Sequence, residues 1–254
     1  MTASILDTIG KPKDRMPIIT ILGEAGTGKT NLASTMPKPI FIRIEDGLQS
    51  IPVANRPDAF PVVDSVDTLF NQISALLQEK HEYKTVVFDS VTKLDRMFEK
   101  YIIDNDAKQP KSINQAMGGY GAGLSAVSNL HGRIRKAAGM LNDLGICVVF
   151  IAHADTETIE LPDTDPYMRY SLRLGKRSLA HYIDDVDVVA LVKLETFYTG
   201  DGDRKKAVST GDRVICMNAT SSSVTKNRYG VTEDIKFNLG VNPFINIIPT
   251  LGDL

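Results

Sequence analysis

The chain has 254 residues, 43% of them hydrophobic, with 29 basic and 31 acidic side chains and a net charge of −2. That length and composition suit one sizeable core in a single α/β domain, and the charge balance excludes a global field steering the protein to nucleic acid or anionic membrane. Any nucleic-acid contact therefore has to be local. The two cysteines, Cys147 and Cys216, sit inside apolar runs and read as buried thiols of a reducing compartment rather than a disulfide framework. No apolar signal core lies between Met1 and Met16, and no uninterrupted apolar stretch reaches the length of a membrane span. The expectation is a soluble, cytoplasmic protein with no membrane partner.

In chain order, Ile18-Ile19-Thr20-Ile21-Leu22 predicts a buried strand, and Gly23-Glu24-Ala25-Gly26-Thr27-Gly28-Lys29-Thr30 follows it at once. Helical sequence continues from Asn31 to Met36 and stops at Pro37. Strands are predicted at Ile40–Ile44 and Phe60–Val63, and Leu69, Ile73, Leu76 and Leu77 mark a helix over 66–80. Thr85-Val86-Val87-Phe88 is a short buried strand ending in Asp89. Val127, Leu130, Ile134, Ala137, Leu141 and Leu144 step by three and four, so a long amphipathic helix runs to the C-cap candidate Gly145 and feeds a strand at Cys147–Ile151. Strands alternating with helices imply a mostly parallel sheet covered on both faces, with ligands beyond the carboxyl ends of its strands. After Ala180 the runs Val186–Val192, Arg213–Met217 and Ile235–Phe237 follow one another without helices, which predicts an antiparallel extension. A polar hairpin loop is expected at Thr199–Lys206.

The segment 23–30 fits G-x-x-x-x-G-K-[ST], a P-loop. Its glycines let the backbone form a nest of N–H groups around phosphates, Lys29 reaches the terminal phosphates, and the Thr30 hydroxyl ligates magnesium. ATP and Mg2+ are the expected ligands, and a chance match to the pattern arises roughly once in a hundred chains of this length. Magnesium also calls for a carboxylate at the end of a nearby strand, which Asp89 supplies. Hydrolysis needs a base to orient and deprotonate water. Ile44-Glu45-Asp46-Gly47 places carboxylates beside the loop, and Glu45 is the better placed; the same residues are also ordinary turn chemistry.

Phe88-Asp89-Ser90-Val91-Thr92-Lys93-Leu94 resembles the second nucleotide motif of the RecA-like recombinase ATPases. Phe41-Ile42-Arg43-Ile44-Glu45 is similar to their second strand, which ends in the catalytic glutamate. Val148–His153 resembles their sensor strand, with His153 where a polar amide is usual. The chain is more similar still to short phage-encoded RecA-like ATPases with a single core, through His153, Gly119-Tyr120-Gly121 and Lys226-Asn227-Arg228-Tyr229-Gly230. The resemblance implies a RecA-like core at 17–192 after an N-terminal extension at 1–16, and an antiparallel extension at 193–254 carrying a trans-acting motif. Lys226 and Arg228 would reach a neighbour's nucleotide, and catalysis would involve Glu45, Lys29 and His153. It further implies a homo-oligomer, ring or filament, that binds single-stranded DNA and promotes annealing or strand exchange in a bacterial host cytoplasm, with a single-strand binding protein as a partner.

RecA-like cores hold DNA on loops after the second nucleotide motif and the sensor strand. The later loop falls within 154–177, where Arg169, Tyr170, Arg173, Lys176 and Arg177 interleave cations with aromatics, a composition suited to phosphates and stacked bases. A solvated mixed-charge loop is the competing reading. A small-molecule kinase, with the arginines after residue 169 as a lid, and an ATP-ordered DNA-binding module without catalysis are the alternatives to the ATPase.

Overall fold

A computed structural model describes residues 5–12, 14–199 and 206–252. Its centre is β1 (Ile18–Gly23), an apolar strand buried along its whole length, which continues through the 23–30 loop into α1 (Lys29–Ser34). Next come β2 (Pro39–Arg43), β3 (Asp58–Ala59), α2 (Val66–Gln78), β4 (Thr85–Asp89), α3 (Val91–Asp104), α4 (Ala122–Asp143) and β5 (Cys147–Leu161). The chain ends with β6 (Thr164–Leu172), α5 (Ala180–Ile183), β7 (Val188–Thr199), β8 (Lys206–Cys216), β9 (Lys226–Asn227), β10 (Ile235–Phe237) and α6 (Pro249–Gly252). The sheet order is β10-β8-β7-β1-β5-β4-β2-β3, with β6 off β5 and β9 off β7. From β7 to β3 every neighbouring pair is parallel, so the expected α/β architecture is present.

Alternation along these strands fills two layers. Ile18, Leu22, Ile42, Phe88 and Phe150 face α2, α3 and α4, meeting Leu69, Ile73, Leu94, Phe98, Ile134 and Leu141. Ile19, Ile21, Phe41, Val87 and Val149 face the other way, onto Leu32 and Ala33 of α1, Met36 just after it, and Phe244, Ile248 and Leu251 near the C-terminus. With both faces covered, the strands read as continuous apolar runs, the mark of a buried parallel sheet. Ser65 caps α2 by accepting from Thr68 N, and Gly145 takes a φ of +78° just after α4.

Three expectations are corrected, and one helix is added. Phe60–Val63 is no strand: Pro61 has no N–H for the ladder, although Phe60 N and Val63 N still donate to Phe41 O and Arg43 O along the edge of β2. The run at 186–192, grouped with the strands after Ala180, pairs parallel with β1 as part of β7, Ile19 against Val188; the direction reverses only at β8, within the extension expected from residue 193. The 154–177 segment is not a simple loop. β5 runs on to Leu161 and pairs with β6 as an antiparallel hairpin, Glu157 opposite Arg169 and Thr156 opposite Tyr170. Helix α3 is an element the hydrophobic spacing does not single out, since Lys93, Asp95, Arg96, Glu99, Lys100 and Asp104 break up its apolar positions and only Val91, Thr92, Leu94 and Phe98 are buried. The expected hairpin loop at 199–206 falls largely outside the described residues. Among the described residues no helix is long and apolar enough to cross a membrane.

A buried polar chain joins the helices behind the sheet. His131 is fully buried, with Nε2 3.0 Å from Asp95 Oδ1 and Nδ1 2.7 Å from the Tyr182 hydroxyl. Tyr182 in turn accepts from Thr20 Oγ1 through its carbonyl at 2.7 Å, so α3, α4, α5 and β1 share one network. Burial depresses the His131 pKa, with the Asp95 hydrogen bond opposing that shift. Removing one partner leaves the other unpaired in an apolar surround, which costs about 1–3 kcal/mol. Tyr182→Phe is therefore expected to lower stability by that amount with the fold retained, as read from urea midpoints; an unchanged midpoint would show that the network contributes nothing.

Candidate nucleotide site

The loop at 23–30 leaves the carboxyl end of β1 and turns back through Gly26 and Gly28, whose φ values of +79° and +98° lie in the left-handed region that favours glycine. Among the described residues, the N–H groups of Ala25, Gly26, Thr27 and Gly28 have no main-chain acceptor, so they form a concave set of donors. Lys29 is buried, and its Nζ donates to the carbonyls of Gly23 at 2.9 Å and Glu24 at 2.7 Å, which holds the ammonium over the loop. Thr30 Oγ1 donates to Asp89 Oδ2 at 2.9 Å. Asp89 ends β4, which is not the neighbour of β1: β5 runs between them, with Gly23 level with His153 and Asp89 level with Ile151. The Asp89–Ser90 peptide bond is cis.

Glu45 follows β2 and His153 lies on β5, and their side chains meet with Nε2 3.4 Å from Oε1. The main chain of His153 is fixed from two sides. Its N–H donates to Thr92 Oγ1 at the start of α3, and its carbonyl accepts from Arg173 N just after β6, both at 2.9 Å. Together with Lys29, Thr30 and Asp89, these residues line a cleft of about 430 Å³. Gly47, Arg213 and Leu239 also line it, and no motif in the sequence points to Arg213 or Leu239. Gly47 is required by close approach: a Cβ there would stand 2.9 Å from Asp89 Oδ2 and 3.0 Å from Thr30 Oγ1. Its place directly after Glu45-Asp46 is the one sequence signal that could have found it.

Burial acts on each charge. It pushes the Asp89 carboxyl up to about 7, against the Thr30 hydrogen bond, and it lowers the Lys29 pKa, against the fields of Asp89 and Glu45. Glu45 shifts the other way, below the ordinary carboxylate range, chiefly through its hydrogen bond with His153. Neutral water therefore leaves Glu45 ionised. A hydroxyl and a buried carboxylate facing a nest of N–H donors fit a hard cation shared with phosphate oxygens, and Thr30 and Asp89 are the residues that would hold it. Among the described residues no group of three or more His, Cys, Asp or Glu could form an all-protein metal cage.

Of the other sequence candidates Arg173 is near enough for its charge to act on Lys29, and the rest lie apart. Lys226 and Arg228 sit beside the first residues of β7, since Val189 pairs with Lys226, whereas the phosphate loop leaves the far end of β1. Lys226 Nζ donates to Asp184 O at 2.7 Å, and Arg228 Nη1 is 3.3 Å from the buried Asp187 carboxylate. Arg169, Tyr170, Arg173, Lys176 and Arg177 do not form one patch. Arg169 donates to Glu157 at 2.8 Å, and Lys176 lines the same pocket between β6 and α5. Tyr170 is exposed, Arg173 donates to Ala154 O at 3.1 Å, and Arg177 reaches Gly121 O at 2.6 Å.

A parallel sheet whose central strand opens into this loop, with a hydroxyl–carboxylate pair beside it, defines a P-loop nucleotide-binding protein. The family model described as "AAA domain" matches residues 15–229, and the chain belongs to that family of P-loop ATPases. It is also similar to the "SPbeta prophage-derived uncharacterized protein YorG" of Bacillus subtilis (strain 168), 28% identical over 180 residues. That match takes in 68% of this chain and 49% of the relative, so the chain spans about half the length of the curated protein it matches.

The raised Asp89 pKa has a sign that can be tested. Folding favours the protonated carboxyl, so its contribution is full below the unfolded value of 3.8, shrinks as pH rises, and is lost once pH passes about 7. Asp89→Asn removes that penalty. Without divalent cation, the variant is expected to be more stable than wild type at about pH 8, by up to ~4 kcal/mol, and no more stable at about pH 4. Thermal melts in a chelator at the two pH values read the difference; equal offsets would contradict the shift.

Proposed function

We propose that the protein is a DNA-dependent ATPase of the RecA-like type that binds single-stranded DNA and promotes annealing or strand exchange as a homo-oligomer. The observation that carries the reading is the Glu45–His153 pair beside Thr30, Asp89 and Lys29, at the point where β5 leaves the core sheet for the hairpin bearing Arg169 and Tyr170. Thr30 and Asp89 would hold Mg2+, which would supply charge neutralisation for the phosphates. The 25–30 amides and Lys29 bind and orient the phosphates. Glu45, ionised at neutral pH, takes the proton of the attacking water at a carboxylate oxygen, and His153 orients that carboxylate and senses the terminal phosphate.

On this reading Lys226 and Arg228, remote from their own loop, serve a neighbouring subunit's nucleotide, and Arg169, Tyr170, Arg173, Lys176 and Arg177 follow the DNA strand. Arg169 and Arg177 are held at Glu157 and Gly121 rather than over the phosphate loop, whereas the charge of Arg173 reaches Lys29. The prophage origin named for the relative agrees with a phage-encoded protein acting in a bacterial cytoplasm, where a single-strand binding protein would share its DNA.

Steady-state ATP hydrolysis, measured with and without single-stranded DNA across protein concentrations, tests this function. Stimulation that rises cooperatively with protein is expected; no DNA effect and strict proportionality to enzyme would overturn the reading in favour of a phosphotransferase. Glu45→Gln is expected to cut turnover by about 100-fold or more while ATP still binds. Unchanged turnover would remove Glu45 as the base.

A further inference from the structure

We propose that Arg213 and Leu239 form the nucleoside end of the cleft, a platform on which the base of a purine nucleoside triphosphate packs. The inference rests on the reading of this cleft as an ATP site and adds to it where the base lies and what selects it. The sheet order settles the direction. Strands β4 and β2, on one side of β1, bring Asp89 and Glu45; β8, on the other side, brings Arg213. A triphosphate whose terminal phosphate meets Glu45 and His153 leaves its nucleoside at the Arg213 end.

The two side chains converge there. A Cβ on Gly28 would stand 3.1 Å from Arg213 Nε and 2.9 Å from Leu239 Cδ2. Arg213 Nε donates to Thr27 O at 3.2 Å, which ties the guanidinium to the phosphate loop. Among the described residues no carboxylate forms an ion pair with it, so the guanidinium is not committed to a salt bridge. Leu239 is 48% exposed, although the strap that carries it is firmly held. Gly240 N donates to Asn31 Oδ1 at 2.7 Å, Asn242 Nδ2 donates to Thr35 O at 3.2 Å, and Phe244, Ile248 and Leu251 are buried against α1. An apolar side chain fixed in the open beside a planar cation suits an aromatic ring, and the larger purine covers more of both. The family match ends at residue 229, so Leu239 belongs to a part of this chain outside the shared domain.

Calorimetric titration of the full chain with ATP, CTP and inorganic tripolyphosphate in the presence of Mg2+ tests the platform. Wild type is expected to bind ATP more tightly than CTP or tripolyphosphate. Arg213→Ala and Leu239→Ala should each weaken ATP about tenfold and leave tripolyphosphate within about twofold. Arg213→Lys, which keeps the charge and loses the plane, should behave like Arg213→Ala. If Arg213→Ala weakens tripolyphosphate as much as ATP, Arg213 is a phosphate ligand and the platform is overturned. Unchanged ATP affinity in both alanine variants, or a wild type that binds tripolyphosphate as well as ATP, overturns the platform alone. A wild type that binds none of the three overturns the ATP reading with it.

Discussion

Thr30, in the first turn of α1, and Asp89, at the end of β4, meet at 2.9 Å although β1, which leads into that helix, and β4 do not touch. That contact depends on β5 lying between β1 and β4 in a register that brings Gly23, His153, Ile151 and Asp89 to the same edge. A one-residue slip of a buried strand would turn its apolar set to the wrong layer, so the two-sided core that stabilises the sheet also fixes the site. The packing of Phe88 on Phe150, with ring centroids 5.2 Å apart, ties those two strands together directly beneath it.

Given that geometry, the cleft concentrates charge where water is scarce. Lys29 and Asp89 shift one another, Glu45 acts on both, and burial works against both Lys29 and Asp89. Each carboxylate helps keep Lys29 charged, while Glu45 makes Asp89 harder to ionise. A dication with a polyanion resolves both tensions at once: the cation favours the ionised Asp89 and the phosphates favour the charged Lys29. His153 holds Glu45 apart from this conflict, which is why two carboxylates in one cleft are displaced in opposite directions.

Much of this was legible in the sequence, for identifiable reasons. The strand before Gly23, the loop itself, the strand ending at Asp89 and the long helix before Cys147 all carry strong local signals: periodicity, glycine at fixed places, an apolar run closed by a charge. Glu45 and His153 stood at strand ends, and the fold brings them together. What escaped is non-local. Nothing in the order of residues says that the run at 188–192 will lie parallel to β1, because the crossover through α5 has only one helical turn to announce it. Pro61 interrupts a strand that its neighbours suggest. The hairpin at 154–172 looks polar because it stands clear of the core on both faces over most of its length, and solvated strands lack the alternation that marks half-buried ones. Arg213 and Leu239 reach the cleft from segments nearly 200 residues after it in the chain, and no spacing rule links them to Gly28.

β5 is one strand of 15 residues, Cys147–Leu161, with neither glycine nor proline anywhere in it. Its first half is clamped between β1 and β4 and its second half is free of both and paired only with β6, with His153 at the changeover. Its pairing with β6 stays in register from Ala154 to Ile159 and shifts only before Leu161. The residue that pairs with Glu45 is therefore main-chain continuous with the hairpin, and Thr92 and the Arg173 N–H hold it at the point where the strand leaves the sheet.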